Sequence, residues 1–274
     1  MSIDKTLKIR LKDYHVEEIA PKVYKINEFN LSTMFVIVGE KSAMVIDCGT
    51  GVGDFKAVVE RLTEGKPYSL YITHAHVDHV GGREQFEEMH MSEKDVPIIK
   101  DVTVSYRKSY IDVMRYLMGF KVIRKRDAVI KKVEKEPKLV FVKEGDVIDL
   151  GGKIIKVFEV PGHTLGSLAF LDETDRIIFT GDDINPNTLL FLKHSTTVEE
   201  LYETLLKIKN IEGYDTIWAS HLSAPVSKEV FENGIKCAEK ISKRRNGFPM
   251  IAMTGYNKYV IIHLSHRRRK KKIK

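Results

Sequence analysis

The segment Thr73-His74-Ala75-His76-Val77-Asp78-His79-Val80-Gly81-Gly82 places three histidines and an aspartate within six positions. Neutral imidazole and carboxylate are the donors that borderline divalent cations such as zinc prefer. Packing alone gives little reason to crowd four titratable side chains together. They repel one another when protonated unless a cation holds them. An apolar run, Tyr68 to Ile72, precedes them and reads as a buried strand ending at Thr73. Donors just past a strand end, on a loop entering a helix, face an accessible cleft, so the spacing predicts a metal site open to a substrate.

Three later segments put polar residues at strand ends as well: Val160-Pro161-Gly162-His163-Thr164, Ile178-Phe179-Thr180-Gly181-Asp182-Asp183, and Ile217-Trp218-Ala219-Ser220-His221. Each alone reads as a turn residue or a helix cap. With the first segment they make seven potential ligands, His74, His76, Asp78, His79, His163, Asp182 and His221, enough for two ions.

This order of motifs resembles the metallo-β-lactamase-fold hydrolases, whose signature is His-x-His-x-Asp-His followed by a His on a Pro-Gly-His-Thr turn, a Gly-Asp and a final His. The resemblance spans roughly residues 20–263. It implies an α/β (α+β) fold, a four-layer αββα sandwich of two mixed sheets flanked by helices, with the metals at one edge. Carried over, it assigns His74, His76 and His163 to one metal and Asp78, His79 and His221 to the other, with Asp182 bridging. Asp47, after an early strand, matches an acidic residue that supports the loop behind the site. The implied activity is hydrolysis of a small ester-like molecule (thioester, lactone, phosphodiester or sulfate ester) by a hydroxide shared between two divalent ions. Zinc leads, with iron or manganese as substitutes, and Asp78 also serves in catalysis. The best-known zinc β-lactamases carry a cysteine where Asp182 stands, which argues against antibiotic hydrolysis. His76 argues against the flavodiiron oxygen reductases, which have a Glu there.

The elements that must position these groups read as two runs of strands, each followed by helices. Strands are expected at Val23–Phe29, Thr33–Val38, Ala43–Ile46, Val140–Lys143, Val147–Leu150, Ile154–Val160, Leu168–Leu171, Ile177–Thr180 and Thr216–Ala219. Ile251–Met253 and Tyr259–His263 read as an edge hairpin. Helices are expected at Asp54–Thr63, near Arg83–His90, at Val198–Lys209 and at Ser227–Arg245. Residues 101–136, rich in Lys, Arg and Tyr, read as one or two amphipathic helices inserted near the site. Tyr106, Tyr110, Arg107 and Arg115 either wall a pocket for an anionic group or cover a sheet edge. Lys193 and His194 are candidates to project over the metals. His15, His90, His263 and His266 match no motif position and are expected at the surface.

The chain has 274 residues, 43% of them apolar and 30% charged, as in a soluble globular protein. Residues 1–266 read as a single domain without a linker. The formal charge of +7 resides in the tail, residues 267–274, seven of whose eight residues are cationic; without them Lys and Arg equal Asp and Glu. That tail is expected to be disordered. It motivates a second reading, a nuclease of the same fold, although a nucleic-acid enzyme is better marked by basic residues spread through the body. A third is a mononuclear iron oxygenase resembling the persulfide dioxygenases. No run is long enough to span a bilayer, no signal peptide is evident, and two distant cysteines fit a reducing cytoplasm. A small molecule is the expected partner, and a homo-oligomer is compatible with the sequence.

Overall fold

A computed structural model describes residues 14–29, 31–118, 135–243, 251–257 and 259–264. The first sheet has seven strands in chain order: β1 (Tyr14–Ala20), β2 (Val23–Glu28), β3 (Ser32–Val38), β4 (Ala43–Ile46), β5 (Tyr68–Tyr71), β6 (Glu88–Met91) and β7 (Lys138–Phe141). The first four pair antiparallel and β4 to β7 pair parallel. Between them lie α1 (Phe55–Thr63), α2 (Val77–Val80), α3 (Val96–Ile99) and α4 (Val104–Met118). The second sheet contains β8 (Val147–Asp149), β9 (Ile154–Glu159), β10 (Leu168–Asp172), β11 (Ile177–Phe179) and β13 (Thr216–Trp218), in the order β13-β11-β10-β9-β8. A third sheet joins β12 (Asn187–Leu190) to the hairpin of β14 (Ile251–Tyr256) and β15 (Tyr259–Leu264), in the order β12-β15-β14. Helices α5 (Val198–Lys209) and α6 (Lys228–Ser242) complete the described elements.

Strand alternation explains the four layers, because successive side chains point to opposite faces. On β3, Met34, Val36 and Val38 pack outward with Phe55, Val58 and Val59 of α1, while Phe35 and Ile37 point inward. On β10, Ala169 and Leu171 meet Leu201 and Leu205 of α5, and Leu168 and Phe170 point inward. The two inward sets interlock between the sheets. There the Phe35 ring lies 4.6 Å from Phe179 and 6.0 Å from Trp218. Helix–sheet–sheet–helix layering follows, as expected. Local chemistry fixes the helix starts: Asp54 caps α1, Thr197 and Glu200 form a reciprocal capping box on α5, and Ser227 caps α6.

Several expectations need correction. The helix expected near Arg83–His90 is a short 3₁₀ turn, Arg83–Gln85, followed by β6. Parallel pairing of β6 with β5 and β7 satisfies that backbone, overriding the helical spacing of Phe86 and Met89. Strands β1 and β12 were not expected; the C-terminal hairpin forms as expected, and β12 pairs with its second strand to make a third sheet. His263 is buried, and His90 is half-buried and stacked on Tyr71 at 4.4 Å between ring centres. His15 is exposed as expected. Residues 119–134 of the helical insertion, His266 and the tail 267–274 lie outside the described residues. Among the described residues, no helix is long and apolar enough to cross a membrane. Cys48 and Cys237 are both buried, and neither forms a disulfide among the described residues.

Phe35→Ala should cost about 3–5 kcal/mol in chemical denaturation, because it empties space shared by both sheets. Val147→Ala on the exposed edge should change stability by no more than about 0.5 kcal/mol. Similar small losses for both would contradict a core between the sheets.

Candidate metal centre

Topology brings the four polar segments to one edge. β4 and β5 run parallel with Ile46 opposite Tyr71, so Asp47 and Thr73 leave the first sheet side by side. β9 and β11 are both antiparallel to β10, and β13 is parallel to β11. Their C-terminal ends, leading to His163, Asp182 and His221, therefore share an edge of the second sheet. A backbone hydrogen bond from Leu168 N to Thr73 O, 2.7 Å, ties the two edges together. Gly181 adopts φ +57°, and a Cβ there would lie 2.9 Å from the Thr73 side chain, so the close approach needs glycine.

Hydrogen bonds behind the histidines fix which ring nitrogen faces the cleft. Thr73 N and Oγ1 donate to the Asp47 carboxylate at 2.8 and 2.7 Å, and His79 Nδ1–H donates to Asp47 Oδ2 at 2.8 Å. Having given its proton to Asp47, Thr73 Oγ1 accepts from His74 Nδ1–H at 3.2 Å. His163 Nδ1–H donates to the Leu189 carbonyl at 2.9 Å. In the neutral form of each of the three rings Nε2 is the lone-pair nitrogen. The buried Nε2 atoms of His74 and His79 have no hydrogen-bond partner. Metal-binding histidines ordinarily have this arrangement, with the far nitrogen held by a carboxylate or carbonyl.

The seven residues form three overlapping groups, His74–His76–His163, His74–His79–Asp182 and Asp78–His79–His221, each with its donor atoms within 4.8 Å of one another. Asp182 Oδ2 lies 3.3 Å from His221 Nε2 and 3.8 Å from both His79 Nε2 and His163 Nε2. His76 Nδ1 and His163 Nε2 are 2.8 Å apart. Since His163 carries its hydrogen on Nδ1, the proton between them belongs to His76. A cation in that gap would take the place of the proton.

Electrostatics divide the donors: four are held in the protonation state that binds metals, whereas His221 and His79 are raised, His79 by Asp47 and Asp78 against its burial. Burial, then the neighbouring imidazoles, hold His74 and His76 well below their usual range, and burial lowers His163. Burial would raise Asp182, yet the rings of His221, His79 and His163 hold its carboxyl well below the usual range. Burial likewise opposes the charged form of His221, but Asp182 and Asp78 raise it to about 10. A metal would take over that charge balance. Asp47 and His221 both have left-handed backbones, φ 62° and 65°, strain of the kind found where function demands a particular geometry.

Sequence reasoning missed one organiser. Buried Asp95 accepts from Ala75 N at 2.9 Å, Thr164 Oγ1 at 2.9 Å and Gly166 N at 2.8 Å, joining the first histidine loop to the Pro-Gly-His-Thr turn. Its partners lie 20, 69 and 71 positions away, so no local spacing marks it. Asp183 accepts from His163 N at 2.5 Å, and Asn185 Nδ2 donates to the Ser220 carbonyl at 3.1 Å. Tyr110 O–H donates to Asp78 Oδ2 at 2.8 Å; burial, then the Asp78 carboxylate, push the phenol up, so it stays protonated. Tyr106, on the same helix, is half-exposed and within electrostatic range of Asp78. Lys193 Nζ and His194 Nε2 reach Asp101 Oδ2 at 2.7 and 3.2 Å, spanning from the loop after β12 to the loop before α4. Arg107 does not wall a pocket. It is fully buried, donating to the Thr50 and Gly51 carbonyls and to Glu84. Arg115 Nη1 lies 3.5 Å from Asp112.

Comparison with known proteins agrees with this architecture. The chain is 25% identical over 233 residues to the acyl-coenzyme A thioesterase MBLAC2 of Homo sapiens, covering 75% of this chain and 81% of that protein. It is 24% identical over 237 residues to a hydroxyacylglutathione hydrolase of Crocosphaera subtropica, covering 82% and 76%. An archaeal metallo-beta-lactamase superfamily protein from Sulfolobus tokodaii shares the fold with a TM-score of 0.54 at 18% identity, over 81% of this chain and 85% of that one. The metallo-beta-lactamase superfamily profile matches residues 28–221, from the end of β2 to the last histidine of the cluster, and the chain belongs to that superfamily.

Proposed function

We propose that the protein is a dinuclear, zinc-dependent hydrolase acting on a thioester. The observation that carries this reading is the placement of Asp182 Oδ2 within 3.8 Å of His79, His163 and His221, one carboxylate in reach of both histidine sets. His74, His76 and His163 would hold one cation and Asp78, His79 and His221 the other, with Asp182 shared. Imidazole and carboxylate donors suit zinc, and they accept iron or manganese as well. Two cations there would supply Lewis acidity, acidifying a water as nucleophile and polarising the carbonyl of the scissile bond.

The chain's own residues provide orientation and proton handling. Asp47 and Thr73 hold the His74 and His79 rings with Nε2 inward, and Asp95 holds the two loops together. Asp78 Oδ1, which Tyr110 does not engage, is the atom we assign to carry a proton toward the leaving group. A thiol leaving group asks little of that acid, because a thiol has a pKa near ~8.5 and departs as thiolate. The similar proteins support a thioester. One is named an acyl-coenzyme A thioesterase, and the other a hydrolase of hydroxyacylglutathione, whose acyl group is carried on a thiol. His194 and Tyr106, within electrostatic range of His76 and Asp78, and Lys193, which shares Asp101 with His194, are proposed as substrate contacts.

Assayed with zinc on a panel of acyl thioesters, lactones, phosphodiesters and sulfate esters, the protein should turn over a thioester fastest. Preference for a phosphodiester would overturn the substrate choice and favour the nuclease reading. Asp182→Ala should lower turnover by more than the roughly 10–100-fold typical of losing a supporting residue, whereas Asp95→Asn should fall within that range. Ordinary turnover in Asp182→Ala would sink the shared-carboxylate assignment.

A further inference from the structure

We infer that Tyr110 is a positioning residue for the second cation: its phenol holds the Asp78 carboxylate in the one orientation that completes the Asp78–His79–His221 group. This rests on the dinuclear reading above. Asp78 is pinned at two points. Its backbone carbonyl accepts from Ser32 Oγ at 2.6 Å, and its Oδ2 accepts from Tyr110 O–H at 2.8 Å. The carboxylate then presents Oδ2 at 3.4 Å from His221 Nε2 and Oδ1 at 3.9 Å from His79 Nε2. Without the phenol, rotation about the Cβ–Cγ bond, which is broad for an aspartate, would be limited only by its neighbours.

The helix carrying this phenol is fastened independently of the cations. Arg107, one turn earlier, is fully buried and grips the Thr50 and Gly51 carbonyls and Glu84, at 3.2, 3.4 and 2.6 Å respectively. Ile111, on the same face four residues on, packs against Leu31 and Val52. α4 therefore does more than cover a sheet edge. Its inner face is locked to the loops beside the site, and the lock presents Tyr110 to Asp78 before any ion arrives. Such preorganised outer contacts set metal affinity, and their loss typically costs about 10–100-fold.

The test is competition of the metal-free protein against a chelator of known affinity for Zn²⁺, on the full chain. Wild type should take up two ions, and Tyr110→Phe should bind the first as wild type does and the second about 10–100-fold more weakly. Tyr116→Phe, on the same helix but exposed to solvent and without the hydrogen bond to Asp78, should leave second-ion affinity unchanged. Thermal melting of the metal-free proteins separates positioning from packing, because phenylalanine keeps the ring. A Tyr110→Phe chain that melts like wild type and loses only second-ion affinity supports the inference. Equal weakening of both ions with a lowered melting temperature overturns it, since Tyr110 would then be a packing residue. If wild type binds two ions and the variant's second-ion affinity is unchanged, the inference alone fails. If wild type binds fewer than two, the dinuclear reading fails and takes the inference with it.

Discussion

One buried carboxylate organises the centre. Asp47 accepts three hydrogen bonds, from Thr73 N, Thr73 Oγ1 and His79 Nδ1. The first pins the end of β5, and the third sets the tautomer of His79. The second makes Thr73 Oγ1 an acceptor, which sets the tautomer of His74. Two imidazoles that share a group with Asp182 are thus aimed by one side chain, and their Nε2 atoms remain buried without hydrogen-bond partners. Leaving such atoms unpaired is costly, because a buried polar group without a partner forfeits its hydration. A cation is the partner that suits a lone pair on each of several converging nitrogens.

The rest of the fold serves that convergence. Three apolar clusters, one between the sheets and one outside each, hold two mixed sheets so that the C-terminal ends of β5, β9, β11 and β13 meet. Ligands in open α/β sheets usually sit at the carboxyl ends of strands, where side chains on successive loops can converge. Asp95 then bridges the first and second halves of the chain at that edge. Its burial raises its carboxyl above the usual range, and hydrogen bonds from Ala75, Thr164 and Gly166 work against that rise. Folding and ligand placement are thus coupled through the same hydrogen bonds.

Much of this was legible in the sequence because the chemistry is local. Three histidines and an aspartate in six positions, and polar turns after apolar runs, mark the ligands and their strand ends directly. α5 was read to the residue, and the structure adds the Thr197–Glu200 capping box that fixes its start. What escaped was non-local. Asp95 looks like a helix cap until its distant partners are known. β1 carries two consecutive exposed glutamates, Glu17 and Glu18, and β12 is four residues long after a proline, so neither stands out as an apolar run. Arg83–His90 carries apolar residues at helical spacing, but pairing with two neighbouring strands decides the C-terminal part. On α4, the sequence offered Tyr110 and Arg107 equally as pocket walls. Burial separates them, with Arg107 turned inward and Tyr110 set on a carboxylate.

The family supplies the fold, and the donor set supplies the chemistry: imidazoles and carboxylates that converge on one edge, with the charge on His221 and His79 balanced by Asp78, Asp182 and Asp47. The claim on which everything else depends is that this set holds two ions rather than one. Elemental analysis of the purified protein, dialysed after loading with zinc, tests it most directly. The account predicts two ions per chain. A single ion per chain, at saturation, would contradict it.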